Sequence, residues 1–417
     1  MIRRIFICVA VAAATASGGH AAEPGIDRPP FLPPDAAVLE VLDASPPVAL
    51  AQGRLSQARA EARQLVAGEH ETTFTATFDD RRVRGDGDYS EWSGQLSRGL
   101  RLPGKGRLDR AAGMAGVRAA EDAVEDARHQ ASLDFVDRWV RWMEASERHA
   151  IDAAEAETYA REVQALKRRV ELKDAALLEL QEAQGAEART RAALVQSAGL
   201  ERRARVELVS VFPGLVPPAT ATLPPPSAPR RAFDRWAALI VERSHEISMA
   251  RAEADREETL ARRARLDRAP DPTIGVRTFS ERGGDETGVG VFVSIPFSGP
   301  RRSAVADRQA GIAAQALARH ALVSREIRAT ADTDVVAAEA ALAAWHDAET
   351  ARAASEVAAA RITRAYQLGE RDLSDRLLAE RQAFEARRFE LAARAEAHRT
   401  LLRMALDAHE LWLSEED

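Results

Sequence analysis

Arg371 and Asp375 stand four positions apart just beyond Gly369, so on a helix their side chains share a face and can pair. Taken alone they are a solvated ion pair worth a few tenths of a kcal/mol. Other candidate chemistry is sparse. The nine histidines are scattered, with no HxH or HxxxH spacing, and the single cysteine, Cys8, lies near the N-terminus, so no metal-ligand set is expected. There is no Gly-x-Ser-x-Gly elbow, phosphate loop or metalloprotease helix motif. The sequence therefore assigns no catalytic group and no cofactor. Trp139 and Trp142 fall at helical spacing beside Phe135, which suits packing between helices better than a ligand cage.

The elements around these residues follow from composition. Aromatic residues make up only 5% and charged residues 29%, with Ala, Glu, Arg and Leu filling most of the chain, the balance of long helices with modest cores. At the N-terminus, Arg3 and Arg4 precede the apolar run Ile5 to Ala16 and the small residues Gly18, Gly19, Ala21 and Ala22, the pattern of a secretory signal peptide. Cleavage there takes the formal charge from −7 to −9, because Arg3 and Arg4 leave with the signal, as does Cys8. No acyl anchor is expected, since Cys8 lacks a lipoprotein-type lead. No later segment has 18 consecutive apolar residues, so no transmembrane helix is expected. An acidic chain with Arg and Glu intermixed is a poor match to nucleic-acid binding.

Proline marks the organisation. There is none between Gly104 and Phe212 and none after Pro300, so both tracts can be almost wholly helical. The reading is a signal peptide over 1–22, a Pro-rich lead over 23–35, a first repeat over 36–212, a Pro-rich linker over 213–230, a second repeat over 231–412 and a tail over 413–417. Each repeat gives a shorter helical stretch (about 36–67 and 231–268), two strands and a long helical hairpin. At an offset of 198, Asp109, Arg110, Ala112 and Gly113 match Asp307, Arg308, Ala310 and Gly311, and Asp174, Leu180 and Glu182 match Asp372, Leu378 and Glu380. Two clusters at one offset argue for duplication.

The strands, about 71–79, 89–98, 272–280 and 287–296, alternate with period two. Phe74 and Phe78, Trp92 and Leu96, Ile274 and Val276, and Val289, Val291, Val293 and Ile295 would share the apolar face, with Asp79 to Asp88 as a polar loop. Trp92 suits an aromatic belt or packing in a core or at a protomer interface. Their lengths fit a tilted crossing of a hydrocarbon layer. Four strands cannot close a barrel, and open edges in lipid cost several kcal/mol per unpaired group, so closure needs other copies. Three would supply twelve strands. The fold class expected is mainly α with membrane β: a duplicated strand–strand–long helical hairpin, four strands per protomer, in a barrel closed by further copies.

At this point the sequence resembles the TolC family of outer-membrane factors over nearly the whole mature chain. The residues that carry the resemblance are Pro270-Asp271-Pro272-Thr273-Ile274-Gly275-Val276, Ser294-Ile295-Pro296-Phe297-Ser298-Gly299, and Tyr366-Gln367-Leu368-Gly369 followed by Asp372-Leu373. His70-Glu71, Arg81-Arg82-Val83, Glu91-Trp92 and Arg101-Leu102-Pro103-Gly104-Lys105 are similar to the branch serving heavy-metal efflux. The resemblance implies a passive, non-enzymatic outer-membrane exit duct: a homotrimer whose trimeric twelve-strand β-barrel lies in outer-membrane lipid and is continued by a periplasmic α-helical barrel, served by a periplasmic adaptor and an inner-membrane pump of the resistance-nodulation-division type. It also implies that Lys173, Asp174, Gly369 and Asp372 lie at the periplasmic tips that meet the adaptor, and that three copies of Arg371 and Asp375 form charged rings at a pore constriction. The family's second acidic position is Leu378 here, and the first repeat lacks a tip glycine. Two alternatives stay open: the outer-membrane component of a type I protein secretion system, and, in another class, a periplasmic coiled-coil adaptor.

Overall fold

The computed structural model describes residues 25–412, so the expected signal peptide and the tail 413–417 lie outside the described residues. Each half of the chain lays down two strands and then a long helical hairpin. The first half comprises α1 (Asp35–Asp43), α2 (Pro46–Ala67), β1 (Thr72–Val83), β2 (Gly87–Gly99), α3 (Lys105–Glu171) and α4 (Leu177–Val211). The second comprises α5 (Trp236–Arg243), α6 (His245–Leu266), β3 (Thr273–Glu281), β4 (Glu286–Ser294), α7 (Pro300–Gln367) and α8 (Leu373–Asp407). With 67 and 68 residues, α3 and α7 each run about 100 Å. Among the described residues, no helix is long and apolar enough to cross a membrane.

The four strands form one antiparallel sheet in the order β1-β2-β3-β4, so β2 and β3 join the two repeats and the outer edges of β1 and β4 are left open. Below the sheet, α3 packs on α2, α4, α6 and α8, and α7 packs on α6 and α8. The principal apolar core lies midway down the helices. Phe135, Trp139 and Trp142 of α3 meet Trp236 of α5, Trp345 of α7, and Leu401 and Leu402 of α8 there, under a wrap of α1 and the Pro-rich linker. Trp139 and Trp142 are thus packing residues, their ring centroids 5.1 Å apart. The linker is fixed rather than loose: Leu223 is fully buried and its amide donates to Glu147 Oε2 at 2.8 Å.

Three expectations change. The expected polar loop Asp79 to Asp88 is mostly strand, for β1 continues to Val83 and pairs with β2 from Gly87, leaving a turn at 84–86. The stretches 36–67 and 231–268 are each broken, by Ala44 and Ser45 before Pro46, and by Ser244, whose side chain caps α6. Finally, the helical hairpins turn at an offset of 196, not 198. α4 and α8 start at Leu177 and Leu373, and the preceding turns place Lys173 and Gly369 in equivalent left-handed conformations. Buried positions of α7 follow the same offset, with Ala331, Val335 and Ala338 answering Phe135, Trp139 and Trp142.

Candidate membrane face, junction and helical tips

The strand register assigns every side chain of the sheet to a face. Phe74 stands opposite Leu96, Leu96 opposite Val276, and Val276 opposite Val291, so the four form one row across the sheet. Ile274 faces Val293, Phe78 faces Trp92, and Val289 continues the pattern. Ile295, one residue past β4, extends it. All ten residues read as lipid-facing therefore share one face, and all are exposed, Val291 at 85% and Phe78 at 80%. Beyond Phe78 and Trp92 the same face turns polar: Asp80 accepts from Ser90 Oγ, and Arg82 pairs with Asp88. Trp92 and Phe78 thus sit at one rim of an apolar band, where amphipathic or bulky rings suit an interface with water.

The opposite face is polar. Thr73, Thr75 and Thr77 face Ser97, Gln95 and Ser93. Two bulky rings are accommodated there by glycines on the neighbouring strand, Phe279 over Gly288 and Phe292 over Gly275, leaving no room for a Cβ at either glycine.

Where the sheet meets the helices, a buried ion network ties the repeats together. Lys105, only 1% exposed at the start of α3, donates from Nζ to Asp271 Oδ1 (2.8 Å) and to the Ala269 carbonyl (2.8 Å), and lies 2.9 Å from Asp267 Oδ1. The Leu102 amide also donates to Asp271, and His70 Nε2 lies 2.8 Å from its other oxygen. Burial by itself would raise the Asp271 carboxyl, but Lys105, the Leu102 amide and His70 outweigh it and hold the group down at about 2. Alongside, Asp109 pairs with Arg101 (3.3 Å) and Arg263 (2.7 Å). Sequence reasoning met these residues only as motif letters, and nothing in their spacing says that Lys105 and Asp271 touch.

At the far end, Gly369 has φ +77°, its amide donates to the Tyr366 carbonyl, and Glu370 donates to Ala365, a left-handed close to α7. Lys173 takes the same conformation (φ +62°) at the first tip, a shape that costs a non-glycine residue roughly 1 kcal/mol. Asp372 caps α8 by accepting from the Asp375 amide at 2.8 Å. Arg371 precedes the cap of α8 rather than sharing a helical face with Asp375, yet the two exposed side chains still pair at 3.2 Å across the first turn. Asp174 pairs with Arg169 at 2.9 Å. The two hairpins also touch, through contacts that no sequence spacing indicates: Arg169 Nη1 donates to the Tyr366 hydroxyl (2.8 Å), Arg376 reaches Glu162 (2.7 Å), and the Tyr159 hydroxyl donates to the Leu377 carbonyl (3.2 Å). Burial first, then the Glu380 charge, pushes the Tyr159 phenol up to about 12. Around the tips Leu172, Leu177, Leu178 and Leu368 are exposed.

The histidines gather more than expected. The His409 ring lies 4.4 Å from that of His245 and 5.5 Å from that of His129, and burial, then its two neighbours, hold its imidazole down at about 3. Among the described residues no cluster of three or more His, Cys, Asp or Glu is arranged to hold a metal ion.

No protein-family model and no curated protein matches the sequence. Solved structures do match in shape. The outer membrane protein VceC of Vibrio cholerae aligns over 89% of this chain and 96% of its own, at 20% identity and a TM-score of 0.73. A membrane protein of Pseudomonas aeruginosa aligns over 92% and 91%, at 17% identity and a TM-score of 0.77. The CmeC outer membrane channel of Campylobacter jejuni aligns over 92% and 87%, at 14% identity and a TM-score of 0.74. Nearly the whole described chain, sheet and helical hairpins together, therefore has the fold of these three membrane proteins.

Proposed function

We propose that the protein is one protomer of a TolC-type outer-membrane export channel, a passive duct with no catalytic step. One observation carries this reading: a four-stranded sheet, apolar on one face and polar on the other, has two open edges and continues into helices about 100 Å long. Lipid would leave those edges unsatisfied, whereas β4 of one copy can pair with β1 of the next. Three copies close a barrel of twelve strands, an even number in the outer-membrane range. The apolar face then meets lipid and the polar face lines the passage. The same single apolar face, together with the shared fold, favours a channel over a periplasmic adaptor. Mass measurement of the detergent-extracted protein is expected to give a trimer. A well-folded monomer, or release in the soluble periplasmic fraction without detergent, would overturn the reading.

The exposed leucines at the tips, beside Lys173, Asp174, Gly369 and Asp372, suit docking of a periplasmic adaptor that links the duct to an inner-membrane pump. A pump of the resistance-nodulation-division type fits the motifs near Trp92 and Lys105. Those motifs are also the support for heavy-metal cargo, which the pump, rather than this chain, would select.

Arg371 and Asp375 are read as the constriction. Within a protomer they pair with each other, and a threefold ring of such pairs would let each guanidinium bond a neighbour's carboxylates. Arg371→Ser is expected to raise single-channel conductance severalfold in planar bilayers. Asp375→Ala is expected to weaken cation preference and block by multivalent cations. Unchanged conductance, selectivity and block in both variants would assign the pair to the outer surface.

A further inference from the structure

The polar face of the sheet is not evenly charged. Asp79 faces Glu91 and Glu281 faces Glu286, an acidic level next to the hairpin turns. It is partly neutralised there by Arg81, 2.6 Å from Glu91, and by Arg282, 3.6 Å from Glu286. The next three levels toward the helices carry Thr77, Ser93, Phe279 and Gly288, then Thr75, Gln95, Arg277 and Gly290, then Thr73, Ser97, Gly275 and Phe292. Across those levels Arg277 is the only charged side chain.

Three features distinguish this arginine. Among the described residues it forms no ion pair, unlike Arg81 and Arg82 of β1 and Arg282 in the turn between β3 and β4. Its guanidinium lies over the Phe279 ring, 5.3 Å from the centroid, so the aromatic holds it in one attitude without neutralising it. Gly290 stands directly opposite, with nothing within 4 Å of where its Cβ would be, so the space beside the guanidinium is open. An unpaired, pre-seated cation with free space beside it is well placed to bind something else. Guanidinium is the side chain whose planar fork matches carboxylate, phosphate and sulfate oxygens.

From this, and resting on the channel reading above, we propose that Arg277 is a cargo-contact residue: three copies form a cationic ring midway along the barrel that binds anionic groups in transit and disfavours free multivalent cations. Cargo suited to such a ring carries carboxylate, phosphate or sulfate groups, and a metal ion would pass most readily as an anionic complex. The ring is distinct from the tip pair Arg371 and Asp375, which lies at the other end of α7.

The test is block of the purified oligomer in planar bilayers by inositol hexakisphosphate added to the hairpin-turn side. The wild type is expected to be blocked, with Arg277→Ser and Arg277→Gln raising the half-blocking concentration about tenfold or more, the scale of one lost charge-assisted bond. Arg277→Lys should keep most of the block. Arg84→Ser, in the turn outside the passage, should leave it unchanged. Conducting wild-type channels that show no block, or equal block in the Ser and Gln variants, would overturn the proposal while leaving the duct intact. Failure of the wild type to form channels would sink the duct reading itself.

Discussion

Val291→Arg is expected to abolish assembly of the oligomer in the membrane. Val291, on the edge strand β4, ends the row Phe74, Leu96, Val276 and Val291 and is the most exposed strand residue of the apolar face. An arginine on the lipid side near the bilayer midplane costs about 2–4 kcal/mol, and the cost recurs in every copy of a closed oligomer. Three such charges at one level exceed what a marginal assembly step can absorb. Gly290→Ser is the control, since Gly290 belongs to the polar face and its added atoms would meet nothing within 4 Å. The readout is the fraction of protein recovered as heat-resistant oligomer from the outer-membrane fraction. Equal recovery for Val291→Arg and wild type would reverse the assignment of faces.

Lys105→Ala is expected to destabilise the protomer by about 3–5 kcal/mol, the cost of removing one partner from a buried ion network. The ammonium is almost wholly buried and answers two carboxylates and a carbonyl, so its loss strands Asp271, whose side chain is only 10% exposed, while Asp267 keeps access to water. The substitution also unties the first repeat from the segment leading into β3, which should loosen the base of the sheet before the helices melt. Hydrogen exchange of the 267–273 amides and a lowered melting temperature are the measurements. Wild-type protection in that segment would contradict the assignment. The network also carries a pH signature. Because the Asp271 carboxyl is held down at about 2 in the folded protein, its contribution is present above the ordinary carboxylate value near 3.8 and is lost as pH falls through about 2. Lys105→Ala should shift that loss to higher pH, since the main stabiliser of the carboxylate is gone.

Alternation of period two located all four strands and the face each presents, because a half-buried or lipid-facing strand must repeat its chemistry every second residue. It failed on Asp80 to Val83. Above the apolar band the outward face no longer needs hydrocarbon, so Asp80 and Arg82 interrupt the pattern while the backbone ladder to β2 continues unbroken. The long helices were equally legible, since tracts of over 100 residues without proline, rich in Ala, Glu and Arg, have little else to become. The breaks at Ser45 and Ser244 were less so, because a helix stop inside polar sequence leaves a weak local mark.

What the chain could not declare locally is which distant elements meet. Sequence alternation says that β2 and β3 each have a face, but only the folded sheet makes them neighbours and thereby fuses the two repeats. Lys105 and Asp271 are 166 positions apart and Arg169 and Tyr366 are 197 apart, and no period links such pairs. The repeat offset shows the same limit. Matching letters favoured 198, yet side-chain identity in an Ala, Glu and Arg-rich helix is nearly degenerate. The register of 196 is set instead by where the turns at Lys173 and Gly369 close and by which positions the core buries. Local stereochemistry is written in neighbouring residues. Pairing across the fold is decided by the packing and charge compensation that become available only when all the elements are in place.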